Sequence, residues 1–157
     1  HKACLVIMGN MVDPRGLATR ETAVKGISVH LLSIIAHWDG LNEICGDIGN
    51  AFIQADTKEK IFTCCGPEFG EREGAVALIV CALYDTCTCT ERFRTLLANF
   101  LLRLGFVPTQ YDCDVWMRLC VTLDGYDYVC THVDNFKIVA KDITHWLKLI
   151  DNRFLMK

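Results

Sequence analysis

Apolar residues recur along this chain at two spacings. From Glu91 to Leu104 they fall three and four apart. Phe93, Leu96, Leu97, Phe100, Leu101 and Leu104 therefore share one face of a helix, and Gly105 ends it. Leu31, Leu32, Ile34 and Ile35 give a buried face to a second helix, Val29 to about Trp38, with Ser28 as cap and Gly40 as stop. A last helix runs from Ile143 to about Phe154 behind the cap Asp142. Elsewhere the apolar residues come in short β-rich runs. Strands are expected over Lys2–Met8, Ile44–Ile48, Ile61–Cys65, a buried Val76–Leu83, Val115–Leu123 and Tyr126–Val133, with Asp124-Gly125 turning the last pair. Asn50 to Gln54 reads as a single helical turn, and Asn10–Gly16 and Gly66–Gly74 as loops.

The stretch from Tyr128 to Ala140 has a pattern of its own: apolar strand, polar tip, apolar strand. Asp134 and Asn135 tolerate the dihedrals of a tight turn, so the tip presents the Asp134 carboxylate at a fixed, exposed point. Asp47 stands at the end of another expected strand. Two such carboxylates, brought together by the fold, are what a divalent-metal phosphoryl-transfer site requires.

The element order is strand, helix, strand, mixed strands, helix, three-stranded meander, helix. It predicts an α+β fold with helices packed on a largely antiparallel sheet, in one domain over 1–157. An apolar fraction of 52% against 22% charged residues suits a folded core rather than disorder. The longest apolar run, Ala75 to Tyr84, is too short to span a membrane as a helix. The chain begins at His1 without an initiator Met or a secretory signal, and reads as a fragment. Its net charge of −3 does not favour nucleic acid, although a local basic groove can exist on an acidic protein. Ten Cys residues include no C-x-x-C pair; Cys81, Cys87, Cys89 and a His could form a zinc site, but scattered reduced thiols in an intracellular chain are the simpler expectation. His30 and His37 are expected at surface or boundary positions of their helix.

Taken in order, several segments resemble the reverse transcriptase of Ty1/copia-type retrotransposons. Lys2-Ala3-Cys4-Leu5-Val6 resembles that family's K-A-R-L-V opening, and Asp47-Ile48-Gly49-Asn50-Ala51-Phe52 its D-V-x-x-A-F/Y segment. Thr57-Lys58-Glu59-Lys60-Ile61 followed by Gly66-Pro67-Glu68-Phe69 resembles the approach to its P-E-G-F block, and Ala82-Leu83-Tyr84-Asp85 its S/A-L-Y-G. Leu104-Gly105-Phe106 with Tyr111-Asp112-Cys113-Asp114-Val115-Trp116 follows its L-G-F and D-P-D/C-V/L segments, and His132-Val133-Asp134-Asn135 stands where the family has Y-V-D-D. The resemblance runs through nearly the whole chain. It implies the fingers and palm of an RNA-directed DNA polymerase, without thumb or ribonuclease H. In that family two Mg²⁺ ions sit on three palm carboxylates and carry nucleotidyl transfer; Mn²⁺ can stand in. Asp47 and Asp134 match the first and second carboxylates, and so the metal ligands. Phe52 matches the bulky residue under the incoming sugar, and Tyr84 a position beside the nucleotide pocket. Lys2, with Lys137 or Lys141, is placed to help with phosphates. Primer–template nucleic acid and a deoxynucleoside triphosphate are the implied partners.

The departures from the family fall on functional positions. Asn135 replaces the third carboxylate, and losing one charge-assisted contact costs about 1.5–3 kcal/mol, roughly ten- to a hundred-fold in rate. His132 replaces the turn's Tyr, Asp85 stands where the family has Gly, and Cys4 where it has Arg. Together these changes weaken metal, nucleotide and template binding, so the polymerase reads as impaired or inactive. The alternative expectation is a decayed or repurposed copy serving as a structural or protein-interaction subunit without catalysis.

Overall fold

The computed structural model describes residues 23–84, 86, 88–120 and 125–157, with the backbone alone at 58 and 59. The expected strand over Lys2–Met8, the Asn10–Gly16 loop, Lys2, Cys4, Asp85, Cys87 and Asp124 lie outside the described residues. Two compact units are described, one over 52–93 and the other over 23–51 and 94–157.

In the larger unit, helix α1 (Gly26–Trp38) leads into strand β1 (Asn42–Asp47). The α1 helix starts earlier than Ser28, which does not cap it: the N-cap is Lys25 and makes no side-chain cap bond. Ser28 is buried and donates its hydroxyl to Asp112 Oδ2 at 2.6 Å. The helix does stop at Gly40, whose φ of +60° only a residue without Cβ adopts freely; the Leu41 amide then closes back on the Ala36 carbonyl at 2.8 Å. The expected buried face is half wrong. Leu32 and Ala36 are buried, but Leu31 and Ile34 are exposed, with Ile27 and Trp38 beside them on one stripe. His30 and His37 are exposed, as expected.

The smaller unit holds a 3-10 turn at Phe52–Gln54 and an antiparallel hairpin of strands β2 (Asp56–Cys64) and β3 (Val76–Cys81). A kinked 3-10 segment, Pro67–Arg72, lies in their punctuated connection. The β3 strand is not buried on both faces as its apolar run suggested. Among the described residues it pairs only with β2, and Val76, Leu78 and Val80 project outward on one side. Helix α2 (Cys89–Arg103) begins in this unit and continues into the larger one, and it buries Phe93, Leu97, Phe100 and Leu101 as the periodicity required.

After α2 come a two-residue strand β4 (Val107–Pro108), which the sequence pattern did not reveal, and the strands β5 (Val115–Cys120), β6 (Gly125–His132) and β7 (Asn135–Ala140). Helix α3 (Ile143–Asp151) follows, shorter than expected, with the Asp142 carboxylate accepting the His145 amide at 3.0 Å as its cap. The sheet order is β1-β7-β6-β5-β4, with every described pairing antiparallel. The fold is therefore mixed α+β, with three helices and antiparallel sheets among the described residues.

Strand β7 lies between β1 and β6 and is buried from Phe136 to Ala140. Alternation along a strand sends Val139 and Lys137 to one face and Phe136, Ile138 and Ala140 to the other. On the first face Val139, Cys130 and Val115 pack with Leu32 and Ala36 of α1. On the second, α3 covers β7 and β1. Trp146 meets Phe106 edge-on at 4.9 Å, and Phe154 meets Phe100 at 5.2 Å. Burying side chains of this size on both faces makes β7 the best-anchored strand of the sheet. No helix of the described residues is long and apolar enough to cross a membrane.

Candidate functional site

The backbones of Asp47 and Asp134, the two acidic residues singled out by sequence, lie at the same end of this sheet. The antiparallel register of β1 against β7 sets Asp47 directly across from Asn135, and that of β6 against β7 sets His132 across from the same Asn135. Directly opposed residues bring their Cβ atoms to within about 5.5 Å, so His132, Asn135 and Asp47 form one row across three strands. The Ile48 amide donates to the Asp134 carbonyl at 2.8 Å, which ties the end of β1 to the hairpin tip.

The tip differs from the expected one. Asn135 belongs to β7, and the two loop residues are Val133 and Asp134. Val133 has a φ of 55°, a conformation that a β-branched residue adopts only under strain. Asp134 is half-buried, and its Oδ1 accepts the Asn135 side-chain amide at 3.1 Å.

The Gly46 position shapes the approach to this site. The Phe136 ring lies over its backbone, and a Cβ at 46 would come within 2.4 Å of Phe136 Cζ. A small apolar pocket of about 160 Å³ opens on the same unit, with Cys45, Cys130, His132, Asn135 and Lys137 among its walls. Burial pushes the Cys130 thiol up to about 11, so it stays protonated and inert at neutral pH.

A cation that sequence reasoning missed sits on Asp47. The segment after α3 returns to the end of β1: Ile48 and Met156 form an antiparallel bridge, and the Gly49 amide donates to the Leu155 carbonyl at 2.7 Å. The Lys157 amide donates to the Asp47 carbonyl at 3.1 Å, and Lys157 Nζ lies 2.9 Å from Asp47 Oδ2. No charge or spacing signal marks Lys157, because only the fold brings it 110 positions back along the chain.

The other candidate cations among the described residues, Lys137 and Lys141, are engaged elsewhere. Lys137 is 7% exposed and donates to Ser33 Oγ and Glu43 Oε2, and its hydrogen bond holds the Glu43 carboxyl below the usual carboxylate range. Lys141 Nζ donates to the Gly40 carbonyl at 3.2 Å, at the far end of β7. Phe52 and Tyr84 come together in the smaller unit, ring to ring at 4.7 Å. Phe52, only 7% exposed, also lies edge-on to Phe93 at 6.3 Å. It is a core ring of that unit.

Asp47 Oδ1 is buried and has no hydrogen-bond partner among the described residues. An orphaned carboxylate oxygen at the sheet end that also carries Asp134 suits a hard divalent cation, which takes oxygen ligands. The donors fit one such ion. Two carboxylates, one already paired with an ammonium, supply too little negative charge for two divalent ions. Among the described residues no three His, Cys, Asp or Glu gather around one point, so backbone or amide oxygens and water would complete the shell. The alternative zinc site over Cys81, Cys87, Cys89 and a His includes Cys87, which lies outside the described residues, and no disulfide joins the eight described cysteines to one another.

A scan against family models and searches of curated proteins and solved structures found nothing that matches this chain.

Proposed function

We propose that this chain is a reverse-transcriptase-like domain of copia type, with a weakened cation site at Asp47 and Asp134 and impaired nucleotidyl transfer. The observation that carries the reading is the register at one end of the sheet. It brings the backbones of two acidic residues 87 positions apart in sequence (47 and 134) to one place, where a strand end lies beside a strained hairpin tip. The fingers-and-palm assignment follows from that convergence taken with the ordered sequence resemblance. Asp47 Oδ1 and the Asp134 carboxylate would hold one divalent cation, Mg²⁺ or Mn²⁺. Such an ion polarises phosphoryl oxygens and acidifies a bound hydroxyl. Asn135 in the adjoining strand supplies an amide where a third charge would serve, and it spends its NH₂ on Asp134.

Primer extension on an RNA template, run with the full chain in Mg²⁺ and in Mn²⁺, tests this. Asn135→Asp is expected to raise incorporation roughly ten- to a hundred-fold, the worth of one charge-assisted contact. Asp47→Asn is expected to abolish it. A well-folded Asn135→Asp chain that neither incorporates nucleotide nor binds Mn²⁺ overturns the reading.

A second reading is favoured by one observation. Ile27, Leu31, Ile34 and Trp38 form an exposed apolar stripe on α1. Such a stripe suits a decayed or repurposed copy that binds a protein partner without catalysis. In that case Asp47→Ala leaves both fold and partner binding unchanged.

A further inference from the structure

The Lys157 ammonium and a divalent cation both draw on the charge of the Asp47 carboxylate, the first through Oδ2 and the second, on the preceding reading, through Oδ1. The lysine is not a chance neighbour. Two backbone hydrogen bonds, the Gly49 amide to the Leu155 carbonyl and the Lys157 amide to the Asp47 carbonyl, form the Ile48–Met156 bridge and stitch its segment to the end of β1. These contacts deliver Nζ to within 2.9 Å of Oδ2 on the same carboxylate whose Oδ1 has no hydrogen-bond partner among the described residues. Both side chains are partly exposed, at 50% and 37%, so the ammonium has room to swing into solvent.

We propose that Lys157 is a built-in competitor for the cation site: paired with Oδ2, it neutralises part of the Asp47 charge, so a divalent ion on Oδ1 binds more weakly than it would without the lysine. This rests on the preceding reading of Asp47 and Asp134 as cation ligands. Metal occupancy is then coupled to how the Leu155–Lys157 segment docks on β1. A monovalent, tethered ammonium holds the carboxylate only loosely. An exposed ion pair supplies at most about a five-fold factor, enough to discriminate against weakly bound ions and too little to bar a tight one.

Mn²⁺ binding to the full chain, counted by the loss of the free-ion electron paramagnetic resonance signal, tests the proposal without any turnover. Lys157→Gln is expected to bind Mn²⁺ about five-fold more tightly than wild type. Lys148→Gln, on the exposed side of α3, is expected to change nothing. Adding Asp47→Asn to Lys157→Gln is expected to remove the gain. The wild-type chain supplies a second measurement that needs no substitution at 157. With lysines carrying ¹³C-methyl labels, the Lys157 resonance should shift during a Mg²⁺ titration while that of Lys148 stays still. If Lys157→Gln binds no more tightly than wild type and the Lys157 resonance does not move, while Asp47→Asn still weakens Mn²⁺ binding, the competitor role is wrong and the cation site stands. If Asp47→Asn changes Mn²⁺ binding in neither background, both the site and its competitor are overturned.

Discussion

At Val133 the backbone adopts a φ of 55° at an exposed loop position, where a branched side chain has little to gain from packing. Strain of this kind costs about 1–3 kcal/mol, and glycine avoids it at an entropic cost of about 0.5–1 kcal/mol. Val133→Gly is therefore expected to stabilise the fold by about 1 kcal/mol, read from urea unfolding. Individual residues were unevenly legible in the sequence. Asp47 and Asp134 could be found, because a lone carboxylate at the end of an apolar run stands out. The position of Asn135 in the strand rather than the turn could not, since Val is the last residue that turn chemistry would nominate. Lys157 was invisible for a different reason: its role exists only through a contact across almost the whole chain.

Helices and strands were legible where one periodicity ran uninterrupted. The α2 helix shows it, with its stripe, start and stop read nearly to the residue. The α1 helix failed in part because apolar residues occupy more than one of its faces, so hydrophobicity alone could not say which face meets the sheet. The β3 strand failed for the same reason: a continuous apolar run suggests two covered faces, yet its only described strand partner is β2. Ser28 was misread as a cap because capping chemistry and tertiary hydrogen bonding use the same hydroxyl. Its actual partner, Asp112, also accepts the Lys25 amide at 2.8 Å and, through Oδ1, the Asp114 amide at 3.2 Å, joining the start of α1 to the loop before β5. Burial alone would raise the Asp112 carboxyl, but these hydrogen bonds outweigh it and leave it below the usual range. A carboxyl lowered by folding adds stability above its unfolded pKa of about 3.9 and loses it as pH falls through the folded value. Asp112→Asn is expected to cost about 2 kcal/mol near neutral pH. The gap from wild type should close as urea unfolding is repeated at pH values descending below about 4.

At the scale of the molecule, the sequence pattern carried the class of fold and most of the elements, but not their wiring. Neighbouring strands β5, β6 and β7 form the meander that their short connections suggested. The placement of β1 beside β7 joins segments about ninety residues apart, and nothing in local patterning selects that partner. The convergence of Asp47 on the hairpin tip depends wholly on this pairing. It was therefore an expectation of family resemblance and not of periodicity.

The ring of Phe136 resting on the bare backbone of Gly46 has a consequence for that pairing. It works as a keyway: a hydrogen at one position admits an aromatic key, and only one alignment of the two strands lets the key turn home. Slide β1 by a single residue and the ring meets Cys45 or Asp47 instead, and every outward side chain of β1 becomes an inward one. A methyl group at 46 should jam the lock, so Gly46→Ala is expected to cost about 1–3 kcal/mol in urea unfolding. On the proposed cation-site reading, the same variant also loosens Mn²⁺ binding, because it disturbs the register that sets Asp47 opposite Asn135 beside the hairpin tip.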